Sequence, residues 1–261
     1  MEKIRLGKTE IMASKIGFGC LPLQRRPMDE VTKLLRKAYD SGTNYFDTAR
    51  MYSDSEEKIG AAFGMEHMLY ALMRVSVGVR PEGYLYDPRK GHVEFGEKDN
   101  QTLSPRVQAV ARLFDRAGIP YKIPEDMLHA LWFKYLCNIG ENLTCALLGI
   151  PFGAFRTSED ANFIRHAAMR EVASVAAAYG VHFTEEELAR QDVVVTRIPA
   201  LNKPSTLQDI ENKRPTEIAM FSGTLIKLRE KAGVSTPFNQ MFYHGIRVLE
   251  QKNNGDFQFG E

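Results

Sequence analysis

The sequence predicts an α/β N-terminal region followed by an all-α C-terminal one. Up to about residue 124, short strand-like runs alternate with helical patterns, whereas from Glu125 onward only helical periodicity remains. The bulk composition agrees: 261 residues at 44% hydrophobic can bury a sizeable core, which argues against global disorder.

Each element has its own signal. Lys15–Gly19 reads as a short strand running into a loop. Met28 to Asp40 carries Val31, Leu34, Leu35 and Ala38 at helical spacing, and Ser41-Gly42 stops it. Asn44–Asp47 reads as a second short strand, and Asp54-Ser55-Glu56-Glu57 opens a helix with acids where the dipole favours them. Val75–Val79, Tyr84–Tyr86 and His92–Phe95 are predicted strands, separated by turns at Pro81-Glu82-Gly83 and Lys90-Gly91. Ser104 caps a helix with Pro105 in its first position, and Gly118 ends it. Helices are then predicted over 127–148, 159–179, 185–195, 206–212, 216–231 and 237–251, with a loose polar tail from Asn253. The predicted divisions are 1–64, 65–124, 125–252 and 253–261.

With 34 Lys+Arg against 33 Asp+Glu, a net charge of +1 gives no electrostatic footprint for nucleic acid or an anionic membrane. No apolar run is long enough to span a bilayer, and Met1–Arg5 lacks the apolar core of a secretory signal. The expectation is a cytoplasmic protein. Cys20, Cys137 and Cys145 form no CxxC pair and fit reduced thiols. Six scattered histidines without HxxH or HxxxH spacing predict no metal site.

One helix carries a polar pattern suited to chemistry. Lys134, Asn138 and Asn142 follow one another at four-residue spacing, which places them on one face of a helix rich in Leu131, Trp132, Tyr135, Leu136, Ile139 and Leu143. A solvated stripe is the usual reading, but such stripes use good helix formers. Asparagine is a poor one, so two in register need a reason. Two amides and an ammonium can hold a carboxylate and a carbonyl oxygen, and the lysine can protonate an oxyanion. Further along, Ser205 and Gln208 fit a capping box, and Arg214-Pro215-Thr216-Glu217 fits a helix start.

Taken together, these segments resemble ketopantoate reductase (2-dehydropantoate 2-reductase). The resemblance rests on Leu131-Trp132-Phe133-Lys134-Tyr135-Leu136-Cys137-Asn138, Asn142, Pro204-Ser205-Thr206-Leu207-Gln208-Asp209-Ile210 and Arg214-Pro215-Thr216-Glu217-Ile218. Gly223 and Thr236-Pro237-Phe238-Asn239 continue it, and it runs from roughly Met68 to Glu250. It implies a ketopantoate-reductase-type C-terminal domain that reduces a 2-oxo acid with NADPH. Lys134 would be the general acid and Glu217 its catalytic companion, with Asn138, Asn142 and Ser205 binding substrate. Ala219 stands where the family usually has Asp. The implied partner is a small 2-oxo acid, and a homodimer is compatible with it.

The first 64 residues are instead similar to the start of an aldo-keto reductase, through Ser14–Gly19, Leu34–Gly42, Asn44–Ala49, Tyr52 and Asp54–Gly60. That resemblance would put Asp47 and Tyr52 in a catalytic tetrad, with Tyr52 as proton donor. The Lys and His that complete the tetrad are missing, and two βα units cannot close an eight-stranded barrel. Asp47 and Tyr52 therefore read as relics in a fused chain. Nor is there a GxGxxG turn: Gly17-Phe18-Gly19-Cys20-Leu21-Pro22 has Pro in the third glycine position. The α/β region is thus incomplete for both a Rossmann and a TIM-barrel fold, and weak NADPH binding is expected. The competing readings are an aldo-keto-type carbonyl reductase and a non-catalytic helical module for dimerisation or ligand binding.

Overall fold

The computed structural model describes residues 1–5, 12–20, 22–23, 26–48, 55–64, 68–74, 77–80, 83–86 and 91–257, with backbone alone at 47, 77–80 and 83–86. Two compact units divide the chain, Met1–Met127 and Leu128–Glu261.

In the first unit, β1 (Lys3–Arg5) pairs antiparallel with β2 (Met12–Ser14). Next, β3 (Phe18–Gly19) pairs parallel with β4 (Phe46–Asp47), the chain crossing between them through α1 (Met28–Asp40). α1 packs on α2 (Ser55–Phe63) around Cys20, Val31, Leu35, Ile59 and Ala62. Gly42 has φ 93°, so the residue that ends α1 has to be one without a Cβ penalty. Lys58 is buried because its ammonium donates to Leu23 O (2.9 Å) and Arg26 O (2.8 Å), satisfying the loop before α1.

A second group of strands follows. β5 (Tyr70–Arg74) pairs antiparallel with β8 (His92–Gly96), which pairs parallel with β9 (Tyr121–Lys122). β6 (Val77–Arg80) and β7 (Gly83–Tyr86) form a hairpin of their own. α3 (Pro105–Ala117) crosses from β8 to β9, with Ser104 Oγ accepting from Val107 N and left-handed Gly118 closing it, as the sequence predicts. Phe95, Phe114 and Tyr121 pack ring against ring at 5.1–5.8 Å. β1, β5 and β9 carry no signal in the local pattern, and Lys15–Gly19 forms a strand only at Phe18–Gly19. The Pro81-Glu82 turn, Lys90 and the start of the Val75–Val79 strand lie outside the described residues.

The described part of the second unit is helical. It contains α4 (Met127–Cys137), a π-helical segment (Asn138–Leu143), α5 (Thr144–Leu148) and a 3₁₀ turn (Phe152–Arg156). Then come α6 (Glu159–Ala178), α7 (Glu185–Arg197), α8 (Ser205–Glu211), α9 (Ser222–Ala232) and α10 (Pro237–Asn254). Leu136, Ile139, Leu143, Met169, Val172, Leu225, Phe242 and Ile246 lie in its core. Ser158 caps α6, Thr184 and Glu187 form a full capping box on α7, and the Glu171 carboxylate accepts from Phe238 N and Asn239 N at the start of α10.

Three helix assignments need correction. The predicted helix 127–148 is interrupted by the π-segment. The helix predicted from Thr216 begins at Ser222, because Thr216 N and Oγ1 both donate to Glu250 Oε1 (2.7 Å) and hold that stretch in a turn. Ser205 is not an N-cap: Pro204 occupies that position, and no side-chain cap bond forms. α10 runs on to Asn254, with Asn253 Nδ2 donating to Ile210 O (2.7 Å). Among the described residues, no helix is long and apolar enough to cross a membrane.

Candidate functional site

Lys134 lies in the last turn of α4, and Asn138 and Asn142 lie in the π-segment that follows. π-turns inside α-helices cluster at functional sites because their hydrogen bonding is poorer and needs outside support. Here Gly140 allows that support: a Cβ would stand 2.3 Å from Met169 Cγ and 3.2 Å from Arg165 O, so α6 lies directly against the turn. Asn138 and Asn142 are half-buried, and their side chains hydrogen-bond to no described residue.

Glu217 sits in the turn before α9. Tyr135 Oη of α4 donates to Phe221 O (2.6 Å), tying α4 to that turn. Glu217 Oε1 is buried without a hydrogen-bond partner among the described residues. Burial, and then the nearby charge of Asp209, push the Glu217 carboxyl above the usual range, while the charge of Lys134 pulls the other way. Asp209 is itself paired with Arg214, at 2.8 Å. The charge of Lys134 thus acts on the Glu217 carboxyl, and so does that of Asp209, which the sequence reading passed over. Ser205, the first residue of α8, is exposed, and α8 packs on the π-segment and α5. Asp47 lies on β4, and Tyr52 is outside the described residues.

The raised Glu217 pKa has a definite sign. The folded state holds this proton more tightly than the unfolded chain, so stability falls as pH rises from about 4.3, the unfolded value. Glu217→Gln is expected to melt higher than the wild type at neutral pH, with the gap closing as pH falls below the raised pKa. Equal melting temperatures at neutral pH would show that the carboxylate carries no burial penalty.

A hollow of about 400 Å³ beside Phe155, Asn162, Phe163, His166 and Thr196 contains none of these residues. Of its charged groups, Glu159, Arg165 and Asp192, the last two already pair with each other. Burial alone would raise Asp192, but hydrogen bonds from His166 and Arg165 outweigh it and hold the carboxyl low. The unpartnered oxygen of Glu217 marks the better site. All three cysteines are buried and outside any disulfide; Cys145 is pushed up to about 12, by burial first and Glu141 second. Among the described residues, no cluster of three or more His, Cys, Asp or Glu could hold a metal.

Among the described residues, the start of α1 is poorly suited to a dinucleotide pyrophosphate. The space over Gly17, before β3, is taken by the Tyr45 ring, 2.7 Å from where a Cβ would stand, whereas the space over Gly19 is open. α1 has Asp29 and Glu30 in its first turn and no side-chain cap. Two carboxylates there oppose the helix-terminal field that would attract a phosphate.

Residues 126–250 match the family described as "Ketopantoate reductase PanE/ApbA C terminal", and residues 15–84 match the aldo/keto reductase family. The latter match extends 20 residues beyond the predicted junction at 64. The chain is similar to a 2-dehydropantoate 2-reductase of Streptococcus pyogenes serotype M6, with 31% identity covering 64% of this chain and 56% of the relative. It thus spans about half the length of the curated relatives it matches. In fold it is similar to the 2-dehydropantoate 2-reductase of Geobacter metallireducens, with TM-score 0.69 and 22% identity over 85% of this chain and 73% of that one. A D-mandelate dehydrogenase in complex with NADH gives TM-score 0.68 and 21% identity over 76% and 67%.

Proposed function

From the match of residues 126–250 to the ketopantoate reductase C-terminal family, we propose that the helical unit binds a 2-oxo acid, 2-dehydropantoate, and assists its reduction to the 2-hydroxy acid. The observation that carries this reading is the buried, unpartnered oxygen of Glu217 within reach of the Lys134 charge. An unsatisfied buried carboxylate is costly, and a ligand hydroxyl would satisfy it. Lys134 stabilises the negative charge that develops on the carbonyl oxygen and gives it a proton. Asn138 and Asn142 hold the substrate's oxygens with amides that no described residue engages, and Ser205 reaches its carboxylate from the exposed start of α8.

By family resemblance the hydride source is NADPH. The acidic first turn of α1 disfavours its pyrophosphate at that helix start. Titration calorimetry with pantoate, then with NADPH and NADH, tests the reading. Pantoate is expected to bind to the full chain, and the cofactors more weakly than submicromolar. No heat of binding with pantoate, at any cofactor concentration, overturns the proposal. A second reading, a ligand-binding unit without turnover, is favoured by the acidic start of α1. It is distinguished by pantoate binding without any reduction of 2-dehydropantoate.

A further inference from the structure

Eight residues at about 100° each would leave Asn142 roughly 80° around an unbroken α-helix from Lys134. The wider π-turn takes part of that rotation back, so the turn itself keeps both asparagines near the face of Lys134. Something must hold it open, because its hydrogen bonds alone favour return to the α-form. Gly140 provides room for α6, but room is not a grip. The grip is on the next residue. Glu141 is 5% exposed, and its Oε1 accepts from Gln191 Nε2 of α7 at 2.7 Å. The same oxygen lies 3.7 Å from Arg165 Nη1 of α6, an atom that makes no hydrogen bond among the described residues. A carboxylate in the middle of an apolar core is expensive unless its partners are fixed. Relaxing the π-turn would swing Glu141 by about one residue's rotation and break both contacts.

We propose that Glu141 is a positioning residue: clamped by Gln191 and Arg165, it holds the π-turn in the register that presents Asn138 and Asn142 beside Lys134. The proposal deepens the 2-oxo acid reading and rests on it for its functional consequence. Arg165 also pairs with Asp192, so its charge stays balanced without Glu141. The hydrogen bond from Gln191, rather than the ion pair, therefore sets the register.

The experiment uses the full chain labelled with [¹⁵N]asparagine, as wild type, Glu141→Ala, Glu141→Gln and Gln191→Ala. Glu141→Ala is expected to move the side-chain amide resonances of Asn138 and Asn142, leave that of Asn253 in place, and weaken pantoate binding about tenfold or more. Glu141→Gln keeps an acceptor for Gln191 and is expected to restore both. Gln191→Ala removes the same bond from a partly exposed side chain, and keeps the test decisive if Glu141→Ala does not fold. Unshifted Asn138 and Asn142 resonances in Gln191→Ala and in folded Glu141→Ala, whatever the change in melting temperature, overturn the proposal. If the wild type binds no pantoate, the functional reading fails, and the resonances still decide whether Glu141 holds the turn.

Discussion

Lys134→Ala is expected to slow reduction of 2-dehydropantoate by roughly a hundredfold to ten-thousandfold, the usual effect of removing a general acid. The argument is one of charge. Hydride addition turns a neutral carbonyl oxygen into an alkoxide, and an ammonium beside it both stabilises that charge and supplies the proton. The same substitution should change stability by only about 1 kcal/mol or less. Lys134 is half-buried, and its charge lowers the pKa of the Glu217 carboxyl, so its loss removes a modest favourable pairing. Asn138→Ala and Asn142→Ala should instead act mainly on substrate binding, since an amide transfers no proton. Steady-state kinetics beside thermal melts separates the effects. Wild-type turnover by Lys134→Ala would return the stripe to a solvated helix face.

The parts visible in the sequence were those encoded locally. Ser104, Pro105 and Gly118 sit at the two ends of α3, and each acts through its own backbone geometry, so the limits of α3 are readable without knowing its neighbours. The parts that were not visible depend on distant partners. Tyr70–Arg74 becomes a strand because His92–Gly96 lies beside it, a pairing that no local pattern announces. Thr216 is turned away from a helix start by Glu250, 34 residues on. The π-segment is the instructive miss. Asn138 and Asn142 looked like an α-helical stripe because four-residue spacing suits both helix types. The one available signal was Gly140, a poor residue for a buried helix unless another backbone must come close. Glu217 was found by resemblance, but what makes it notable, an unpartnered buried oxygen, exists only in three dimensions.

Arg165→Met is expected to destabilise the second unit by roughly 3–5 kcal/mol, the cost of removing one member of a buried charged group. Arg165 is 1% exposed. Its guanidinium donates to Asn162 Oδ1 and Asp192, lies 3.7 Å from Glu141, and stacks over Phe155 at 5.1 Å. Methionine fills much of the same volume, so the loss is electrostatic rather than a cavity. The cost falls unevenly on the two acids. The Asp192 side chain is 42% exposed and can be rehydrated, with His166 still bonded to it at 2.8 Å. The Glu141 side chain is 7% exposed and cannot be rehydrated in the same way, even with Gln191 still bonded to it at 2.7 Å, so most of the penalty sits there. The double variant Arg165→Met with Glu141→Gln should therefore recover much of the loss, whereas Arg165→Met with Asp192→Asn should recover little. Urea unfolding followed by helical circular dichroism reads these differences, with the midpoint of Arg165→Met falling on the order of 1 to 2 M. Equal recovery by the two double variants would mean that the buried charge is shared evenly, and that Glu141 is not the acid Arg165 chiefly neutralises.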